Sequence, residues 1–399
     1  MYKMQYKFYG KMNLQDIPNV KPANPKFSSG PCRKYSSWCP AIYDGELLGR
    51  SHRSTAAKSR IKSAIELTTE LLKLPEGYKI AIIGGSDTAA MEAAMWNLLG
   101  RRAIEILIYE YFAQEWYYDI AQQLKIPSTQ IIMHQAPIGY IPDLTKVNFD
   151  NDFVFVLNGS SIGMALPNLD FIPNNRGGLT ICDATASVFA TELPFEKLDV
   201  VTFSWQKILG SEAGYGMLIL SPRAIEELSN YTPSWAIPKI LRLKNRDGSV
   251  NFELYEGNLI NTPSMLVIED FYHSLNWVKS SGGVKYLEQR ILQNHNLVTD
   301  YVNKTSWIDY LIKPKELRAK TSQLLKITLD QPEQITNHLL HNIINLLQDE
   351  DVAYDIASHR STPNCFRIWT GPTIEPEDLQ VLFLWLDYAF FAEKAKLAL

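Results

Sequence analysis

Apolar and polar positions change period several times along this chain. Between residues 54 and 74, STAAKSRIKSAIELTTELLKL sets Ile61, Ala64, Ile65, Thr68, Leu71 and Leu72 at intervals of three and four, which predicts an amphipathic helix. KIAII (79–83) then reads as a short apolar strand, followed by GGSDT and a helix-like AAMEAAMWNLLG. Further strand candidates are AIEILIY (103–109), DFVFVLN (152–158), GLTICDA (178–184), DVVTFSW (199–205) and the run Tyr215 to Leu220. Strands alternating with helical segments over residues 54–265 predict a mainly parallel sheet covered on both faces.

After NTPS (261–264) the pattern lengthens. Helical periodicity over 264–278 and 284–304 precedes one strand candidate, LLKITL (324–329). A helix around 332–347, a strand near 364–369 and a last helix in LQVLFLWLDYAFFAEKAKLAL follow. That order predicts a smaller C-terminal α+β domain, with a cleft between it and the large domain. The last helix is broken by Asp387, Glu393 and two lysines, so it reads as a packing helix and no membrane span is expected.

Composition narrows the classes of function. Hydrophobic residues at 46% and charged residues at 21% are those of a globular protein. A net charge of −4 supplies no polycation for nucleic acid and no basic membrane anchor. The start, MYKMQYKFYGKMNLQD, has no continuous apolar core, so no signal peptide is expected. Cys32, Cys39, Cys182 and Cys365 are scattered without a CxxC, which fits reduced thiols in a cytoplasmic protein. His338 and His341 lie one helical turn apart but lack further ligands, so no metal site is expected.

Candidate chemistry collects at the ends of the strand candidates, where α/β sheets bind ligands. FSWQKILGSEAGYGMLIL puts Lys207 between two apolar runs. A lysine in such a place is paired, reaches for solvent, or is neutral and reactive. Asp183 ends a neighbouring strand candidate, 24 residues earlier. Gly84 and Gly85 open a turn into a helix whose first free N–H groups can hold a phosphate. Pyridoxal phosphate needs this set: an amine for its aldehyde, a carboxylate for its ring nitrogen, and a cradle for its phosphate.

NPKFSSGPC, GRSHRS, GGSDTAAME, DATAS, FSWQK and INTPS, in this order between about residues 20 and 375, resemble the phosphoserine aminotransferase family of class V pyridoxal-phosphate enzymes. The resemblance implies the type I (aspartate-aminotransferase-like) transferase fold. Residues 1–19 are then an N-terminal extension, 20–264 the large cofactor-binding domain and 265–399 the small C-terminal domain. It implies Lys207 as the Schiff-base lysine and Asp183 as the partner of the pyridinium nitrogen. Backbone groups at Ser86, Asp87 and Thr88, with the Gln206 side chain, would hold the cofactor phosphate, and Ser160 would place its hydroxyl near the cofactor. Asn261 and Thr262 would reach that phosphate from the neighbouring subunit of a homodimer. The ring on the cofactor falls at Phe112 of EYFAQEW, with Tyr111 and Trp116 as alternatives.

The substrate of that family carries a phosphate and an α-carboxylate, both suited to arginine's planar fork. By resemblance His52, Arg53, His359 and Arg360, from the two SHR triplets, form the phosphate pocket across the dimer, and Arg367 holds the carboxylate. The implied reaction exchanges an amino group between phosphoserine/3-phosphohydroxypyruvate and glutamate/2-oxoglutarate, in serine biosynthesis and, with a related phosphorylated substrate, in making vitamin B6. The rivals are an alanine–glyoxylate type aminotransferase, a sulfur-removing lyase using Cys365, and a non-catalytic dimer that kept the fold.

Overall fold

The first helix forms where the periodicity placed it. In the computed structural model, which describes residues 17–43, 45 and 47–397, α1 spans Thr55–Leu72 and Ser54 caps it by accepting from the Ala57 amide. Its apolar stripe, including Ile61, Ala64, Ile65 and Thr68, is buried as the spacing requires. Of the residues taken as an N-terminal extension, 1–16 lie outside the described residues.

Along the chain follow β1 (Lys79–Gly84), α2 (Ser86–Leu98), β2 (Ile104–Ile108), α3 (Tyr111–Tyr118), β3 (Ile131–Gln135) and β4 (Asp152–Val156). A two-residue ribbon, β5 (Asn158–Gly159) with β6 (Met164–Ala165), precedes β7 (Thr180–Asp183), β8 (Val200–Ser204), β9 (Tyr215–Leu220) and α4 (Pro222–Asn230). The seven long strands form one sheet in the order β1-β9-β8-β7-β4-β2-β3. All run the same way except β9, which is antiparallel to both β1 and β8. The sheet is therefore mixed, mostly parallel, as its apolar runs predict.

Burial on both faces explains why those runs are continuous. Within β4, Phe153 and Phe155 face the core layer that also holds Ile61 and Phe271, while Val154 and Val156 face the layer of Met91, Met95 and Trp116. Among the elements so far, the sequence reading did not mark three of the longer ones. β3 is a short edge strand with two exposed apolar residues, Ile132 and Met133; α3 is mostly aromatic and polar; α4 is a nine-residue helix.

The C-terminal third supplies α5 (Met265–Ser281), α6 (Val284–Lys304), β10 (Ile308–Tyr310), β11 (Ser322–Ile327), α7 (Glu333–Asp349), β12 (Phe366–Trp369) and α8 (Pro376–Lys396). The three strands form an antiparallel sheet, β10-β11-β12. Residues near the chain start join this part: the Trp369 amide donates to the Phe27 carbonyl at 3.0 Å, and buried Arg33 pairs with Asp378 at 2.6 Å. Among the described residues no helix is long and apolar enough to cross a membrane.

Candidate active site

Parallel strands present their carboxyl ends at one edge, and there β1, β2, β4, β7 and β8 release Gly84, Glu110, Asn158, Asp183 and the Gln206-Lys207 turn. Trp205, just ahead of that turn, is fully buried and stacks on Phe271 at 4.0 Å, which fixes the backbone that carries Lys207. The Cys32 amide donates to the Gln206 carbonyl at 2.7 Å and ties the turn to the NPKFSSGPC segment.

Lys207 Nζ donates to the Ser29 carbonyl at 2.5 Å and lies 3.3 Å from Ser160 Oγ. Gly30 (φ 148°) packs against the lysine stem, and a Cβ there would sit 2.5 Å from Nζ, so any larger residue would push the amine out of place. Burial, first of all, holds the Lys207 amine below its ordinary pKa, and the positive Arg367 adds to the effect. The lysine inside the apolar stretch is therefore an amine biased towards its neutral, nucleophilic form.

Asp183 is buried at the end of β7 and accepts from Trp116 Nε1 at 3.2 Å and from the Thr185 amide at 3.1 Å. Asp87, also buried, faces it; burial and the neighbouring carboxyl raise Asp87 well above the usual carboxylate range. Two like charges in one dry pocket disfavour each other. Burial raises Asp183 as well, but its hydrogen bonds from Thr185 and Trp116 oppose that rise.

The phosphate cradle takes shape at the start of α2. Ser86 adopts a left-handed conformation (φ 60°) and its amide donates to the Gly214 carbonyl. Asp87 and Thr88, in the first turn, have no carbonyl one turn back to bond. Asn261 packs over Gly84 of its own chain, where a Cβ would meet its side chain at 2.8 Å, and Thr262 is exposed. Buried polar atoms without partners gather here: Asp87 Oδ1, Thr185 Oγ1, Gln206 Oε1, Asn261 Oδ1 and Arg367 Nε. Such an edge fits a phosphorylated pyridine aldehyde: the Thr185 hydroxyl, the Gln206 and Asn261 amides and the Arg367 guanidinium can each turn an O–H or N–H to its oxygens.

From the other side β12 presents Arg367, half-buried, its guanidinium held below its ordinary pKa by burial. The loop leading into β12 carries His359 and Arg360 over α3: the His359 ring lies 4.8 Å from Tyr111 and 6.1 Å from Phe112, and Arg360 Nη2 donates to Tyr111 Oη at 2.7 Å. Burial and then the charges of Arg367, Arg360 and Lys207 hold His359 below its usual pKa. The structure thus gathers Lys207, Asp183, Ser160, Gln206, Asp87, His359 and Arg367 into one region. It does not bring His52 and Arg53 there: they lie on the loop before α1, Arg53 exposed, and no hydrogen bond, ring contact or ion pair joins either to Lys207 or its neighbours among the described residues.

Several roles escaped the sequence reading. Trp116 is a donor to Asp183, and the Ser29 carbonyl holds Lys207. Glu110 caps α3 through the Ala113 amide and accepts from Ser161 Oγ, both at 2.7 Å; burial pushes its carboxyl up to about 7. Only the last carried a local signal, an acidic residue ahead of a helix.

No protein-family model matches the chain. It is 46% identical over 373 residues to a phosphoserine aminotransferase of Methanosarcina mazei, covering 94% of this chain and 98% of the relative. Among solved structures, it is similar to a phosphoserine aminotransferase from Cytophaga hutchinsonii, with a TM-score of 0.77, 20% identity, and coverage of 91% of this chain and 98% of that one. A PLP-bound phosphoserine aminotransferase from Trichomonas vaginalis gives a TM-score of 0.73 at 16% identity, covering 90% of this chain and 98% of that chain. At such identities the two structures establish the fold.

Proposed function

The chain belongs to the phosphoserine aminotransferase family, and we infer that it moves an amino group reversibly between O-phospho-L-serine/3-phosphohydroxypyruvate and L-glutamate/2-oxoglutarate. The observation that carries this reading is a buried Lys207, its amine held below its ordinary pKa, at the Asp183 end of the sheet in a chain 46% identical to such an enzyme over nearly its full length. When bound, pyridoxal phosphate supplies an aldehyde to receive the amino group and a ring to hold the electrons released at the substrate's Cα.

The protein's own groups divide the remaining work. Lys207 offers an amine that burial biases towards its neutral form and that can carry the proton to and from Cα; Ser29 and Ser160 aim it. Asp183, whose charged form is favoured by the donors Trp116 and Thr185, would meet the ring nitrogen of the cofactor. The amides of Asp87 and Thr88, with Ser86 and Gln206, take the cofactor phosphate. Trp116 is committed to Asp183 and Tyr111 to Arg360, which leaves Phe112 as the ring to cover the cofactor. Arg367 holds the substrate α-carboxylate.

His359 and Arg360 receive the substrate phosphate, joined by His52 and Arg53 of a second chain. The assembly in this reading is a homodimer, with exposed Thr262 beside Asn261 reaching the neighbouring site. Residues 20–264 then act as the large domain and 265–399 as the small one. The reading also places the enzyme in the cytoplasm, in serine biosynthesis and, with a related phosphorylated substrate, in a vitamin B6 precursor step.

The test is the visible spectrum of the purified protein with pyridoxal phosphate, titrated with L-phosphoserine, L-glutamate, L-serine and L-alanine. A band that forms on cofactor addition and is bleached by phosphoserine and glutamate, but hardly by serine or alanine, is the expected result. A band that ignores phosphoserine would remove the substrate from the reading. Arg53→Ala should keep the band and lose the response to phosphoserine.

A further inference from the structure

The loop that carries His359 and Arg360 is a hairpin excursion from the small sheet. It leaves at the Ala357–Phe366 bridge and turns back through a bond from the Thr362 amide to the His359 carbonyl. A loop of this kind, with Arg360 exposed, has no packing of its own to hold a long side chain. Two anchor points on the other side of the cleft, Tyr111 and Ser161, hold it instead. Arg360 Nη2 donates to Tyr111 Oη at 2.7 Å, with its guanidinium 5.4 Å from the ring centroid, and the His359 ring lies 4.8 Å from the same ring. Thr362 Oγ1 donates to the Ser161 carbonyl at 2.8 Å.

Both anchor points lead back to one side chain. Glu110 accepts from Ser161 Oγ with one oxygen and caps α3, whose first residue is Tyr111, with the other. The position of the basic pair relative to Lys207 is therefore set from the large sheet, 249 residues away in sequence. Arginine spends much rotamer freedom when it is fixed on a ligand, and a side chain already held loses less on binding. A hydroxyl accepting one guanidinium N–H leaves the others free for an anion.

We propose that Tyr111 is a specificity-determining positioning residue, whose hydroxyl and ring preset Arg360 and His359 for a phosphoryl group. This rests on the reading of that pair as the substrate-phosphate site. Phosphoserine, with its compact phosphoryl anion, depends on a preset pair. Glutamate places a carboxylate at the end of a longer, flexible chain and depends on it less.

The test compares Tyr111→Phe, which removes only the hydroxyl, with Arg360→Ala and the double variant, each loaded with cofactor. In Tyr111→Phe the KM for phosphoserine should rise about five- to tenfold, with kcat within about twofold and the KM for glutamate changed by less than about twofold. The double variant should be no worse for phosphoserine than Arg360→Ala alone, since the hydroxyl acts through Arg360. If Arg360→Ala is damaging and Tyr111→Phe is silent, or raises both KM values equally, the proposal fails alone. If Arg360→Ala leaves the phosphoserine KM unchanged, the phosphate-site reading fails and the proposal falls with it.

Discussion

Single side chains at the sheet edge are held in states that water would not favour. Lys207 sits below its ordinary pKa and Asp87 and Glu110 above theirs, in each case chiefly through burial. Glu110 yields a measurable consequence. Its carboxyl is raised from 4.5 to about 7, so the folded protein keeps a proton that the unfolded chain releases. Its contribution to stability is complete below about pH 4.5 and is lost as pH climbs towards 7, a window worth roughly 3 kcal/mol. Glu110→Gln, which preserves the acceptor for the Ala113 amide, should flatten this part of the stability–pH curve. The difference in denaturation midpoint between the two proteins at pH 5 and pH 7.5 measures it; parallel curves would mean that Glu110 is ionised throughout.

At the scale of elements, α5 does more than cover the sheet. Its fully buried Asp270 accepts from Lys34 Nζ at 2.6 Å, Trp38 Nε1 at 3.1 Å, Tyr43 Oη at 2.8 Å and the Glu212 amide at 2.7 Å. One carboxylate thus pins the 34–43 segment, which leads towards His52 and Arg53, to the loop that follows Lys207. Asp270→Ala should cost about 2 kcal/mol, because it strands three donors and leaves the half-buried Lys34 ammonium with the exposed Glu212 carboxylate alone. Denaturant titration reads that loss. A change under about 0.5 kcal/mol would show that water replaces the carboxylate without penalty.

At the scale of the whole molecule, the placement of His52 and Arg53 away from Lys207 within one chain makes a shared site the testable reading. Lys207→Ala and Arg53→Ala should each be inactive with phosphoserine. Mixed and reassociated, half the dimers are hybrids, and in a shared-site dimer each hybrid holds one intact site. About a quarter of the wild-type activity should then return. If each site is built from one chain, no activity returns at any mixing ratio.

Much of this protein was legible in its sequence. The 3.6-residue stripe of α1 and the apolar runs of β1, β4, β7 and β8 are local consequences of burial, and they dictated a helix-covered sheet. Asp183, Lys207 and the Gly84-Gly85 turn stood out because strand ends and glycine turns are themselves local features. Periodicity could not give the reversed β9 between β1 and β8, the assignment of Trp116 to Asp183, or the carbonyl of Ser29 as the ligand of Lys207, 178 residues away. Nor could it choose among three rings in EYFAQEW, since all three lie within two helical turns and each is aromatic. Local pattern is set by which face of an element is dry. Which side chain meets which across the chain is set by strand order and by the packing of loops onto it, and only the folded molecule decides that.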